Sequence, residues 1–387
     1  MALIYKDDFE LRISRKQLLA TWLLALCAVA MGGGCASFAK KDETGVIIAR
    51  RAQVRSSTAV VAADLLEVTR GDTIDILDSR TAPDGEIWYR VRARDAESTE
   101  GWIEARNVML ESLLSSSRQL AEEDKDVAPQ AAGQLRANSN LRLTPDRSGS
   151  DNILMKLDNG AVFDIVSWKR VPKPKSSEAT ESDDAPKAGV MTRNSNRRRN
   201  SNDELKAPEE SVELWYKVRL PRSVSPAPAG WVYGKQVELK VPSDVIFYRT
   251  GREFVAWHRL DGEGANVSSV STTGNKDAAA ESQAGSWVIL EKSSSDAPRR
   301  VDDPDFDRIF VLGYNKDKQE HYTAYRSEDI KGRLPLRVEG QGDSKIFTVR
   351  AQTDEGEKGL RYRVFLDDKR LLRVEPLDRQ SNQRNKR

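Results

Sequence analysis

The sequence predicts an all-β protein: two small β-barrels in tandem, followed by a C-terminal antiparallel β-barrel or sandwich. Three observations carry this. A set of four landmarks occurs twice in the same order, and internal repeats of this kind define the architecture. Short runs such as Asp72-Thr73-Ile74-Asp75-Ile76-Leu77 and Arg361-Tyr362-Arg363-Val364-Phe365 alternate between residue classes, the period of a strand with one wet face. Finally, a hydrophobic content of 38% over 387 residues is low for one compact globule and fits small domains joined by polar segments.

The totals exclude several function classes. With 62 basic and 60 acidic residues the formal net charge is +2, so no global field draws in nucleic acid. The two cysteines, Cys27 and Cys35, both lie near the start of the chain. No disulfide framework, CxxC zinc site or thiol nucleophile is available beyond them. Two histidines, His258 and His321, stand far apart and outside any HxH or HExxH pattern, which gives no metal signal.

Residues 1–34 read as an export signal. Arg12, Arg15 and Lys16 precede an apolar run from Leu18 to Met31, and Gly32-Gly33-Gly34-Cys35 follows. A basic segment, a short apolar core and small residues before a cut site are the parts of a secretory signal; a spanning helix needs about 20 apolar residues. Small residues directly before a cysteine resemble a bacterial lipobox. That resemblance implies lipidation of Cys35, loss of Cys27 with the signal, and a mature protein held on the membrane by its acyl chains. Ala36 in the next position implies the outer membrane rather than the inner one, with the protein facing the periplasm. Gly32 stands where lipoboxes usually carry an aliphatic residue, and Asp7, Asp8 and Glu10 make the leading segment acidic. A cleaved soluble-export signal or an uncleaved anchor are the alternatives. Residues 35–44 form a tether.

The first barrel is expected over 45–112. Its strand-like pieces are 45–51, 60–68, 72–77, 88–92 and 101–103, with a hairpin turn at Asp84-Gly85, because glycine accepts the positive φ such turns need. Short strands in so few residues bury a core only by curling. The landmarks are Val54-Arg55-Ser56-Ser57, the run from Gly71 to Leu77, Trp88-Tyr89-Arg90-Val91-Arg92 and Gly101-Trp102-Ile103. They return as Leu141-Arg142-Leu143-Thr144, the run from Gly160 to Val166, Trp215-Tyr216-Lys217-Val218-Arg219 and Gly230-Trp231-Val232. This pattern resembles the bacterial SH3 domain, a small β-barrel module of cell-envelope proteins. On the strand beginning at Trp88, Trp88, Arg90 and Arg92 share one face and Tyr89 and Val91 the other. Large aromatics dominate small cores, so Trp102 and one of Trp88 and Tyr89 are expected to pack the barrel. The remaining aromatic is a candidate for a ligand groove.

A linker with one helical turn is expected over 113–133, on the strength of Ser115-Ser116-Ser117 and the charged run from Glu122 to Asp126. The second barrel spans 134–240 and carries a polar insertion at about 170–212, rich in Ser, Asn, Pro and charge, which lacks the apolar surface to offset its ordering entropy. Arg197-Arg198-Arg199 lies inside it, flanked by acidic residues, as a solvated loop does.

Residues 241–377 carry strand-like runs at 244–249, 253–260, 286–291, 307–313, 321–325, 333–338, 345–351, 360–366 and 370–375, and 378–387 is a basic tail. Asp302-Asp303-Pro304-Asp305 lacks the Asp-x-Asp-x-Asp-Gly calcium loop and reads as a turn.

Bacterial SH3 modules often accompany cell-wall hydrolases, but a Cys–His pair, a metal site and a GxSxG elbow are all missing. The expected function is therefore non-catalytic: a lipid-anchored envelope protein that binds peptidoglycan or its peptides. Candidate ligand-binding residues are Trp88, Tyr89, Trp102, Trp215, Tyr216 and Trp231. Arg90, Arg92 and Arg219 stand ready for stem-peptide carboxylates. No cofactor is expected beyond the covalent lipid on Cys35. The rival reading is a periplasmic adapter that docks another envelope protein through 241–377.

Overall fold

The computed structural model describes residues 43–173, 212–261, 284–294, 300–342 and 344–377. Cys35, the expected export signal over 1–34, the Arg197–Arg199 run and the tail lie outside the described residues. The all-β expectation matches what is observed: among the described residues, four antiparallel sheets carry twenty-two strands.

Repeat 1 comprises β1 (Glu43–Ile47), β2 (Arg51–Arg55), β3 (Asp64–Thr69), β4 (Thr73–Thr81), β5 (Ile87–Ala93), β6 (Glu100–Glu104) and β7 (Val108–Leu110). Its strand order is β3-β2-β6-β5-β4-β1-β7. All seven strands feed one core, from Ile47, Val54, Val68, Ile74, Val91, Ile103 and Val108, which requires the sheet to curl around it. Repeat 2 comprises β8 (Ala131–Leu135), β9 (Ser139–Arg142), β10 (Ile153–Leu157), β11 (Val162–Pro172), β12 (Val212–Arg219), β13 (Ala229–Tyr233) and β14 (Val237–Leu239). Its order, β10-β9-β13-β12-β11-β8-β14, is that of repeat 1 strand for strand.

The shared landmarks have physical reasons. Gly71 and Gly160 take φ of +96° and +82° at equivalent turns, a region that costs little only for glycine. A Cβ on Gly101 would stand 2.6 Å from the Arg55 carbonyl oxygen, and one on Gly230 would stand 2.6 Å from Leu141. Both glycines therefore lie where one strand crosses another closely. Each repeat also breaks register at the same place, between Ile76 and Asp78 and between Ile165 and Ser167, where a bulge re-aims the strand. Two expected strand segments differ. Val60 and Val61 are almost fully exposed in a turn, and 244–249 forms a 3₁₀ turn (Ile246–Tyr248) after Pro242, whose carbonyl accepts from Val245 and Ile246.

Between the repeats runs α1 (Glu111–Glu123), 13 residues long where the sequence reading expects one helical turn in a linker. Leu114 and Ser117 are buried, and Leu113, Leu120 and Ala121 half-buried, at helical spacing. The serines obscured that period. Ser117 bonds the backbone of Ala229 in β13 in both directions, donating at 2.5 Å and accepting at 3.2 Å.

The remaining strands form two four-stranded sheets. The first holds β15 (Arg252–Arg259), β16 (Trp287–Ser293), β17 (Arg308–Asn315) and β18 (Glu320–Arg326). The second holds β19 (Lys331–Gln341), β20 (Ser344–Thr353), β21 (Gly356–Leu366) and β22 (Leu372–Pro376). In β16, Trp287 and Ile289 join the core of repeat 2 while Val288 and Leu290 face the second sheet. In β17, Phe310 and Leu312 face repeat 2 and Ile309 and Val311 the second sheet. The first sheet is thus the middle of three layers, which is why Trp287-Val288-Ile289-Leu290 is continuously apolar rather than alternating. Gln130 ties the layers. Its side chain bonds both the N–H and the carbonyl of Leu336, its own N–H reaches Ile165, and its carbonyl accepts from Trp257.

Candidate functional site

The six aromatic candidates fall into three settings. Tyr89 packs half-buried against the core of repeat 1. Tyr216 lies in the core of repeat 2, with its ring edge-on to Trp168 at 6.0 Å. The other four lie on the outer faces of the two sheets, the sides away from the cores, and there the repeats diverge.

On repeat 1 this face is built from β4, β5 and β6. Register places Trp88 between Arg80 and Glu104, Arg90 between Asp78 and Trp102, and Arg92 opposite Glu100. Trp88 is 6% exposed, closed off by these neighbours although it points away from the core. Trp102 is half-buried, with the Arg80 guanidinium 5.2 Å from its ring centre, a cation–π distance. The Arg90 and Arg92 side chains are 51% and 41% exposed, and both hold one carboxylate, Glu100, at 3.0 and 2.7 Å. The bond from Arg92, with help from Arg90, keeps that carboxyl below its usual pKa. Two guanidinium groups on one carboxylate, beside an aromatic edge, thus lie open to solvent.

On repeat 2 the equivalent face is roofed. Trp215 is 1% exposed and packs 5.6 Å from the ring of Tyr233. Arg147 lies 4.6 Å over that same ring and pairs with Glu213. At the other end, Lys217, the counterpart of Arg90, is buried against Glu123 and Asp124 at the C-terminal end of α1, at 2.7 and 2.5 Å. Arg219, the counterpart of Arg92, donates to the Val127 carbonyl. Trp231 remains half-buried between the two covers. Position 229 is Ala where repeat 1 has Glu100, so in repeat 2 the neutralising carboxylates come from the helix instead.

The two histidines are built into packing. His321 bonds the Gly285 carbonyl at 2.9 Å, stands 3.6 Å from Asp244 and lies between Tyr248 and Tyr314. Burial, with the charge of Lys345 adding to it, pushes the His258 pKa down to about 4. The Asp302–Asp305 turn spends its oxygens on protein cations: Arg333 takes the carbonyls of Asp302 and Asp303, Lys292 that of Pro304, and Arg170 the carboxylate of Asp305. Trp168 donates to that carboxylate at 2.8 Å. Among the described residues, no group of three His, Cys, Asp or Glu side chains is placed to hold a metal ion.

No protein-family model matches the chain, and no curated protein matches it. Among solved structures, the structure of NlpC2 from Trichomonas vaginalis aligns over 86% of this chain and 92% of that chain, at 8% identity and a TM-score of 0.15. A score that low carries no argument about fold or activity, and the reading of this molecule rests on its own residues.

Proposed function

We propose that the protein is a non-catalytic component of the bacterial cell envelope, anchored by lipid on Cys35, whose first repeat binds peptidoglycan through the carboxylates of its peptides. The SH3-like character of both repeats belongs to this proposal and is supported by their common strand order and shared glycines. The observation that carries the binding reading is the asymmetry between two otherwise matching faces. Arg90 and Arg92 stay accessible, whereas Lys217 and Arg219 are taken up by Glu123, Asp124 and Val127 at and just beyond the end of α1, and Arg147 covers Tyr233 beside Trp215. An arginine pair sharing one carboxylate can exchange it for, or extend to, a second anion with bidentate geometry. Repeat 2 then serves as the platform joining repeat 1 to the C-terminal sheets.

The test is co-sedimentation of the full-length protein in detergent with purified sacculi. Trp102→Ala and the double variant Arg90→Ala/Arg92→Ala lower the bound fraction by about tenfold, the worth of one charge-assisted contact, while Trp231→Ala leaves it unchanged. Folded variants that all sediment like wild type would sink the assignment of this face. An absence of wall binding by the wild type would move the function to protein docking on 241–377, where Phe247 is 89% exposed.

A further inference from the structure

A cavity of about 410 Å³ opens at one end of the C-terminal sandwich, between the two sheets. Its buried lining is apolar at Leu260, Val364 and Leu372. The same lining holds Lys345, a lysine only 8% exposed. Burial lowers the pKa of this ammonium, and the charge of Asp261 opposes that effect. Asp261 also lines the cavity and accepts the backbone N–H of Ser286, which fixes its position. The exposed part of the lining carries Lys316, Lys369 and Arg370 against one carboxylate, Asp317.

We propose that this cavity binds a small organic anion, a single carboxylate or phosphate on a short apolar body, with its anionic group at Lys345. A desolvated ammonium is costly to keep, and Asp261 offsets part of that cost. An incoming anion adds a charge-assisted contact to this ammonium while its body covers Leu260, Val364 and Leu372. The excess of cations at the mouth raises the local concentration of anions. The site exists only where the two sheets meet, because Lys345 comes from β20 of one and Asp261 lies two residues beyond the end of β15 in the other. It shares no residue with the face of repeat 1 and does not rest on the wall-binding reading.

Thermal shift and calorimetric titration of the full-length protein with two probes, valerate and inorganic phosphate, decide it. At least one probe gives a saturable rise in Tm. Response to valerate alone identifies a carboxylate ligand, and response to phosphate alone a phosphate. Lys345→Met weakens that binding by about tenfold or more, as loss of a charge-assisted bond does. Lys316→Gln/Lys369→Gln, both at exposed positions, weakens it about threefold at low salt and less at high salt. No saturable response to either probe overturns the proposal, as does undiminished affinity in Lys345→Met. If Lys345→Met does not fold, the exposed double variant decides alone, and unchanged affinity there overturns the proposal as well.

Discussion

His258 is a histidine that the fold keeps neutral. It lies on β15 opposite Val288, with its pKa depressed to about 4 by burial and, secondarily, by the Lys345 charge. Between that value and the usual histidine value of about 6.5, the unfolded chain binds a proton that the folded chain does not. Stability therefore falls as pH drops through this window. From about pH 7 to about pH 4.5 the wild type loses about 2 kcal/mol more than His258→Gln, as read from urea unfolding at each pH. Equal losses in the two proteins would show that His258 is protonated in the fold. The sequence marks His258 only as one of two histidines outside any metal pattern; its depressed pKa comes from burial in the fold, with Lys345, brought near by strand β20, adding to it. Position within a strand was readable, the neighbour across the sandwich was not.

At the scale of elements, α1 does what two repeats of one sheet cannot do for each other. It roofs one end of the outer face of repeat 2 and supplies Glu123 and Asp124 to Lys217. Its Leu114, 2% exposed, joins the large core together with Val46 and Met109 from the outer side of β1 and β7. Leu114→Ala leaves a cavity there and costs about 3 kcal/mol, measured as a lower urea midpoint. The buried, unpaired Lys217 of a displaced helix adds to the effect. A cost below about 1 kcal/mol would mean that α1 lies on the surface as a tether, as the sequence reading of 113–133 had it. The helix was hidden because Ser115, Ser116 and Ser117 occupy its centre. Ser117 is buried there for its hydroxyl bonds to Ala229 rather than for apolar area.

On the scale of the whole molecule, the described residues from Thr44 onward group as one compact unit. One hydrophobic cluster joins Val46 and Met109 of repeat 1, the core of repeat 2, and Phe254, Trp257, Trp287 and Phe310 of the first C-terminal sheet. Gln130, 1% exposed, is bonded to three layers at once. Gln130→Ala strands the N–H and carbonyl of Leu336 in the interior and costs about 3 kcal/mol. Tryptophan fluorescence and far-UV circular dichroism should still report coincident urea transitions, because one face of the first C-terminal sheet packs into the core of repeat 2. Separate transitions for the two probes would show that the layers fold independently.

The sequence by itself determined the all-β class, the repeated order of landmarks and most of the strands of the C-terminal sheets. These are matters of local chemistry: alternation along a strand, glycines at turns and crossings, and the absence of a helical period elsewhere. The tertiary structure alone decided which aromatics close the cores and which remain at the surface, that 111–123 is a helix with a covering role, and that β16 and β17 are buried on both faces. The physical reason is that a strand's period announces two unlike faces without saying what covers either one. Trp88 and Trp215 hold the same place in the same motif. The second is packed on Tyr233, itself covered by Arg147, and its neighbours Lys217 and Arg219 bond Glu123, Asp124 and Val127 at and just beyond the end of α1. The corresponding Arg90 and Arg92 of repeat 1 remain open to solvent, and that difference between matching faces comes from residues far along the chain.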